Sequence, residues 1–138
     1  MFYLKDGNII PNEGIGELKL GMSFREVTEL VKEYDVRDLS VCDVIECGDV
    51  RIWIDRKTDS AIQILVEGEF KGKYADKIGI GSTLTDVKNL LNASWHEDLD
   101  AYYIDGVEGM CLELGDTDDE YDWDELAAPI VYISVMYA

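Results

Sequence analysis

Apolar residues recur at helical spacing in two segments of this chain that align under a shift of 60 residues. In "LKLGMSFREVTELV" (18–31), Phe24, Val27, Leu30 and Val31, with Tyr34 beyond, fall on one face of a helix. In "IGIGSTLTDVKNLL" (78–91), Leu84, Val87, Leu90 and Leu91 do the same. The polar positions between them repeat as well. Ser23 and Thr83 stand where an N-cap hydroxyl accepts from the first turn, and Glu26 and Asp86 stand three residues on, where an acid closes a capping box. Gly21 and Gly81 precede each cap by two residues, where the chain must turn. The pattern predicts helices over 24–34 and 84–92.

After each helix the period changes from helical to alternating. "VCDVIE" (41–46) aligns with "AYYIDG" (101–106), and "VRIWID" (50–55) with "MCLELG" (110–115), each a short β-rich run. "SAIQILVEG" (60–68) then matches "PIVYISVMY" (129–137), pairing Ile62 with Ile130, so that some eight residues have been inserted in the second copy. The expected fold is α+β: two tandem helix-plus-three-strand antiparallel units, about 15–68 and 75–138, forming a continuous sheet with both helices on one face. A hairpin over 1–12 turns at Asp6-Gly7, and "EFKGKYADK" (69–77) joins the units. At 138 residues the chain is long enough for a single domain with its own core.

The inserted segment changes the picture. It reads "DTDDEYDWDE" and comprises Asp116, Thr117, Asp118, Asp119, Glu120, Tyr121, Asp122, Trp123, Asp124 and Glu125. Its twin is the plain turn "RKTD" (56–59). A loop longer than its structural need is a place to look for function, and two aromatics do not suit a loop that only solvates. The formal net charge is −18, and no Lys or Arg follows Lys88. Such a charge disfavours nucleic acid and anionic membrane surfaces as partners and favours a basic protein. The candidate contact residues are Asp116, Asp118, Asp119, Glu120, Tyr121, Asp122, Trp123, Asp124 and Glu125; the alternative is a solvated loop.

Catalytic and metal chemistry find little footing. The single histidine, His96, lies in "SWHEDLD" just past the second helix, where Asp98 or Asp100 could orient it as a general base or where it could simply end the helix. No nucleophile elbow accompanies it. The loop carboxylates alternate as in a calcium-binding loop, but Tyr121 stands where such a loop has glycine and Ala127 where it has glutamate. Cys42, Cys47 and Cys111 are an odd set without a zinc-ligand pattern, which suggests free thiols. Trp53 falls on the face opposite Ile52 and Ile54, and Trp95 follows Leu91 by four residues as a core staple would. No cofactor or metal is expected. The start "MFYLKDGNII" carries neither a basic n-region nor an apolar h-region, so the expected location is cytoplasmic.

The doubled motif G-x-[ST]-x-x-[DE]-V-x-x-L, carried by "GMSFREVTEL" and "GSTLTDVKNL" with the strands that follow, resembles the repeat of small outer-membrane-assembly lipoproteins and of secreted β-lactamase inhibitory proteins. In the latter that likeness implies a concave sheet set against a target enzyme. In overall character, small, acidic and with an ornamented loop, the chain is similar to immunity proteins of bacterial contact-dependent and polymorphic toxin systems. That likeness implies a non-enzymatic binding module that neutralises a basic toxin domain, most plausibly a nuclease. The alternatives are an acidic adaptor for a non-toxin partner, or a small hydrolase using His96.

Overall fold

The computed structural model describes residues 7–115 and 125–138. The elements run β1 (Ile9–Ile10), β2 (Gly14–Ile15), β3 (Leu18–Lys19), α1 (Phe24–Val31), β4 (Asp35–Asp38), β5 (Cys42–Cys47), β6 (Val50–Asp55), β7 (Ser60–Glu67), β8 (Lys73–Tyr74), β9 (Ile78–Gly79), α2 (Leu84–Leu91), β10 (Trp95–Asp98), β11 (Ala101–Ile104), β12 (Met110–Leu114) and β13 (Ile130–Met136).

Both helices begin in complete capping boxes. Ser23 Oγ accepts the Glu26 N–H at 3.1 Å, and the Glu26 carboxylate accepts the Ser23 N–H at 3.0 Å. Thr83 and Asp86 repeat the exchange at 3.2 and 3.0 Å. The turn into each cap needs a positive φ, supplied by Gly21 at +91° and Gly81 at +94°. Each helix is eight residues long, too short to be stable alone, so its start and its buried stripe decide whether it forms. Ser23→Ala should lower unfolding stability by about 0.5–2 kcal/mol, measurable by urea denaturation. The helices end earlier than their patterns suggest. Lys32 at φ +65° and the left-handed Asn92 stop them, which leaves Tyr34 outside the helix.

The expected α+β arrangement of two helix-plus-three-strand units is overturned. The chain is mostly β: among the described residues two short helices stand against a five-stranded and an eight-stranded sheet. The larger sheet has the order β10-β11-β12-β13-β7-β6-β5-β4, antiparallel throughout, so four strands rather than three follow each helix. The missed strands are β4 and β10, "DVRD" and "WHED", which lie at the two edges and carry charge where a buried strand carries alternating apolar residues. The smaller sheet, β3-β2-β1-β8-β9, is built of two-residue strands, too short to show a period. Its hairpin turns at 11–13 between β1 and β2, and the first half of the expected 1–12 hairpin, with Asp6 of its turn, lies outside the described residues. The segment expected as a linker contains β8, which pairs in parallel with β1.

The two halves meet at β7 and β13, where Leu65 pairs with Ser134. The helix entrances tie into the starts of those strands by matching bonds. Gly21 N–H reaches the Ala61 carbonyl at 2.9 Å and Ala61 N–H reaches Met22 at 2.7 Å; Gly81 N–H reaches Ile130 at 2.8 Å and Ile130 N–H reaches Ser82 at 2.7 Å. The counterpart of Ile130 is therefore Ala61, not Ile62. Ile62 and Val131 are the extra residues of a register shift in each strand. One core runs through both halves. Val27 and Val31 of α1, Leu84 and Val87 of α2, and Ile45, Ile52, Ile64, Leu112, Ile133 and Val135 of the larger sheet all belong to it.

Candidate protein-binding surface

Strand alternation gives the larger sheet two unlike faces. One face packs on the helices. The other carries Val44, Trp53, Gln63, Leu65, Cys111, Tyr132 and Ser134, as the register places them. Val44 and Leu65 are buried although they lie outside the main core, so the side chains of this face cover one another. Gln63 Nε2 donates to Ser134 Oγ at 3.2 Å across the junction of the halves. Trp53 is half-buried between Val44 and Gln63, in keeping with its alternation. Burial pushes the Cys111 thiol up, with Glu113 adding to the effect, and burial does the same to Cys47. Both are thereby held as poorly nucleophilic thiols.

The charge on the two halves is arranged differently. In the first half, acids meet bases: Arg37–Glu46 at 3.2 Å, Arg51–Glu67 at 3.5 Å, and Arg56 with both Asp38 and Asp43 at 2.7 Å. Beyond Lys88 no carboxylate among the described residues meets a Lys or Arg, and the one contact of this kind is the hydrogen bond between His96 and Asp105 at 2.8 Å. Glu97, Asp98, Asp100, Glu108, Glu113 and Glu125 have no cationic partner there.

His96 does not end a helix, and neither Asp98 nor Asp100 orients it. It sits on β10 opposite Tyr103, its ring stacked on the tyrosine with centroids 5.4 Å apart. Its Nδ1 meets Asp105 Oδ1, while the Ser94 hydroxyl donates to Asp105 Oδ2. Serine and histidine thus both bind the carboxylate, whereas a nucleophile would need its hydroxyl on the imidazole. His96, Tyr103 and Asp105 line an open depression of about 560 Å³ with Met136 and Tyr137.

The Ser94 and His96 bonds hold the Asp105 carboxyl below the usual aspartate range. A depressed folded value stabilises the protein above the unfolded value, and the contribution is lost as pH falls through the folded one. His96→Ala removes one of the two bonds, so the Asp105 carboxyl should titrate at higher pH in that variant, read from its side-chain carbon resonance by NMR.

Of the predicted contact residues, Asp116, Asp118, Asp119, Glu120, Tyr121, Asp122, Trp123 and Asp124 lie outside the described residues. Glu125 lies inside, and its surroundings fix where the acidic segment is rooted. Gly115 N–H closes the base on the Pro129 carbonyl at 2.8 Å. On the return side, Thr85 Oγ1 in the first turn of α2 donates to the Leu126 carbonyl at 2.9 Å. The buried Tyr102 donates its hydroxyl to Glu125 Oε2 at 3.1 Å. Burial, then the nearby Glu97 and Glu125 carboxylates, push that hydroxyl above its ordinary range. The root of the segment is therefore continuous, through Tyr102, with the acidic edge strand β10.

Beside that edge runs an open groove of about 630 Å³, lined by Lys88 and Asn92 at the end of α2 and by Ala93, Ser94 and Trp95. Trp95 packs partly buried against the core, but from β10 opposite Ile104, so strand alternation and not a helical spacing from Leu91 turns it inward. No sequence pattern marks Glu97, Tyr102, Asp105 or this groove. The acidic run "HEDLD" was the one available signal, and it says nothing of the strand that carries it.

No helix among the described residues is long and apolar enough to cross a membrane. No family model and no curated protein matches this chain. Among solved structures, its fold is similar to that of a cysteine-rich secretory protein from Staphylococcus aureus, at 13% sequence identity and a TM-score of 0.51. The similarity covers 97% of this chain and 48% of that one, so the chain spans about half the length of that protein. At that identity the likeness shows the fold alone.

Proposed function

We propose that the protein is a binding module for a basic protein, and specifically an immunity protein that neutralises a toxin domain of the nuclease class. One observation carries the reading. On the first half of the larger sheet Asp38, Asp43, Glu46 and Glu67 are paired with arginines, while among the described residues the acids beyond Lys88 have no Lys or Arg partner on adjoining strands or at the root of the inserted segment. A nuclease collects phosphate with Lys and Arg. Fixed, unpaired carboxylates compete for that surface and accelerate encounter at long range. Tyr121 and Trp123 supply the side-chain types that become hot spots once desolvated. The cytoplasm, where a self-protecting protein meets an incoming toxin, is the location this reading requires.

The test is protection. An immunity gene lies directly beside its toxin gene, so the toxin domain encoded next to this chain is expressed with and without it in the same host. Restored growth and a complex that dissociates with rising salt are expected. Full toxicity in the presence of the folded chain would sink the reading.

A further inference from the structure

We propose that the free edge of β10 accepts an extended, basic segment of a partner protein as a ninth strand of the larger sheet. The inference shares the basic partner of the function proposed above but rests on backbone groups, not on the inserted segment.

The hydrogen-bond register shows which groups are free. Asp105 N–H bonds the Ser94 carbonyl at 2.9 Å, so 94 and 105 form a bonded pair. Antiparallel pairs alternate, and the register His96↔Tyr103 and Asp98↔Ala101 makes those the next bonded pairs. Trp95 and Glu97 therefore turn their N–H and C=O away from β11. Among the described residues β10 pairs with β11 alone. Exposed groups of this kind are a template for an added strand.

Charge selects the edge and its occupant. The sheet's other edge, β4, has the same backbone opportunity, but cations stand along it: Arg37 on Glu46 and Arg56 on Asp38. Along β10 stand Glu97, Asp98 and, in the following turn, Asp100, with Glu125 near Tyr102. Lys88 on the groove wall is one cation against these four carboxylates. Pairing with a second copy's β10 would set acid against acid, which opposes self-association. A lysine- or arginine-bearing strand reverses the sign of each contact.

The groove supplies room for alternate side chains. Trp95 and Glu97 share the helix side of the sheet with the core residues Ile104 and Tyr102, while His96 and Asp98 point to the opposite side. An added strand alternates as β10 does, so the residues it turns toward the groove stand beside both Trp95 and Glu97; lysines there pair with Glu97 and lie over the Trp95 ring, while valines take the opposite side next to His96.

The experiment uses the full chain and a capped hexapeptide of alternating lysine and valine. By amide-resolved NMR, the peptide should slow exchange of the Trp95 and Glu97 N–H groups at least tenfold and leave Val36 and Asp38 on β4 unchanged. The glutamate–valine counterpart should not bind. Glu97→Pro removes an outward N–H that an edge strand can spare, so it should abolish the protection while the His96 and Asp98 amides keep theirs. Glu97→Gln should weaken binding only severalfold and retain the protection pattern. Equal binding by a peptide N-methylated at alternate residues on both registers would reduce the effect to plain charge attraction and overturn the proposal, as would protection at β4 instead of β10, or none. A variant with 116–124 shortened should still protect Trp95 and Glu97. Retained peptide protection together with failed protection from the toxin would therefore defeat the immunity reading and leave this one standing.

Discussion

Ile64→Ala will destabilise the protein by about 2–5 kcal/mol. Ile64 is fully buried on β7, opposite Ile52 on one side and Val135 on the other. It thus stands in the row that carries the core across the junction of the two halves. The loss combines the transfer free energy of three carbons with the cavity they leave, and two sheet neighbours that are themselves fully buried leave little room for collapse. Since domains of this size are stable by only about 5–15 kcal/mol, the change removes a large share of the total. Urea denaturation should show the midpoint falling by about 1 M or more with a single transition for both halves. The control is Ile62→Ala, two residues away. Ile62 is the extra residue at the register shift and is 37% exposed, so its loss should stay within about 0.5 kcal/mol. Similar losses at both positions would mean that the junction is not packed as described.

The contrast between those two isoleucines shows what could be read from the chain and what could not. "SAIQILVEG" presents them as equivalent apolar positions, and only the register shift sends one out and keeps the other in. The capping residues were legible because a cap is a local exchange between groups three residues apart, as Ser23 with Glu26 shows. The alternation in "VRIWID" was legible for the same reason, with Val50, Ile52 and Ile54 buried and Arg51, Trp53 and Asp55 not. The edge strands were illegible because their burial pattern carries no alternation: every residue of "DVRD" is exposed. Without them the fold reads as α+β with three strands per helix. The His96–Asp105 bond was hidden because it is made across the β10–β11 pair, and a sequence scan favours the nearer Asp98 and Asp100. Of the candidate binding residues, the acidic segment announced itself by composition, whereas the edge beside it is defined by backbone groups that composition does not record.

Trp123→Ala should weaken binding to the basic partner by roughly 2 kcal/mol or more, about thirtyfold in affinity, if the acidic segment makes the central contact. The segment exceeds its counterpart turn, and its root is closed independently by Gly115 and Pro129, so changes within it should leave the fold intact. An indole is the side chain with most to gain from desolvation at an interface, and its loss acts on dissociation. The carboxylates act on a different step. Exchanging Asp118, Asp119, Asp122 and Asp124 for asparagine leaves the indole in place but removes the field that steers encounter, so association should slow and its salt dependence flatten. Rate measurements at several salt concentrations separate the two: the tryptophan variant raises the dissociation rate, the asparagine variant lowers the association rate. A variant with 116–124 replaced by a short turn should lose both effects together. Unchanged rates and unchanged salt dependence in that variant would make the segment a solubility device. The binding energy would then have to come from the acidic β10 edge, where Glu97→Pro would be the damaging substitution instead.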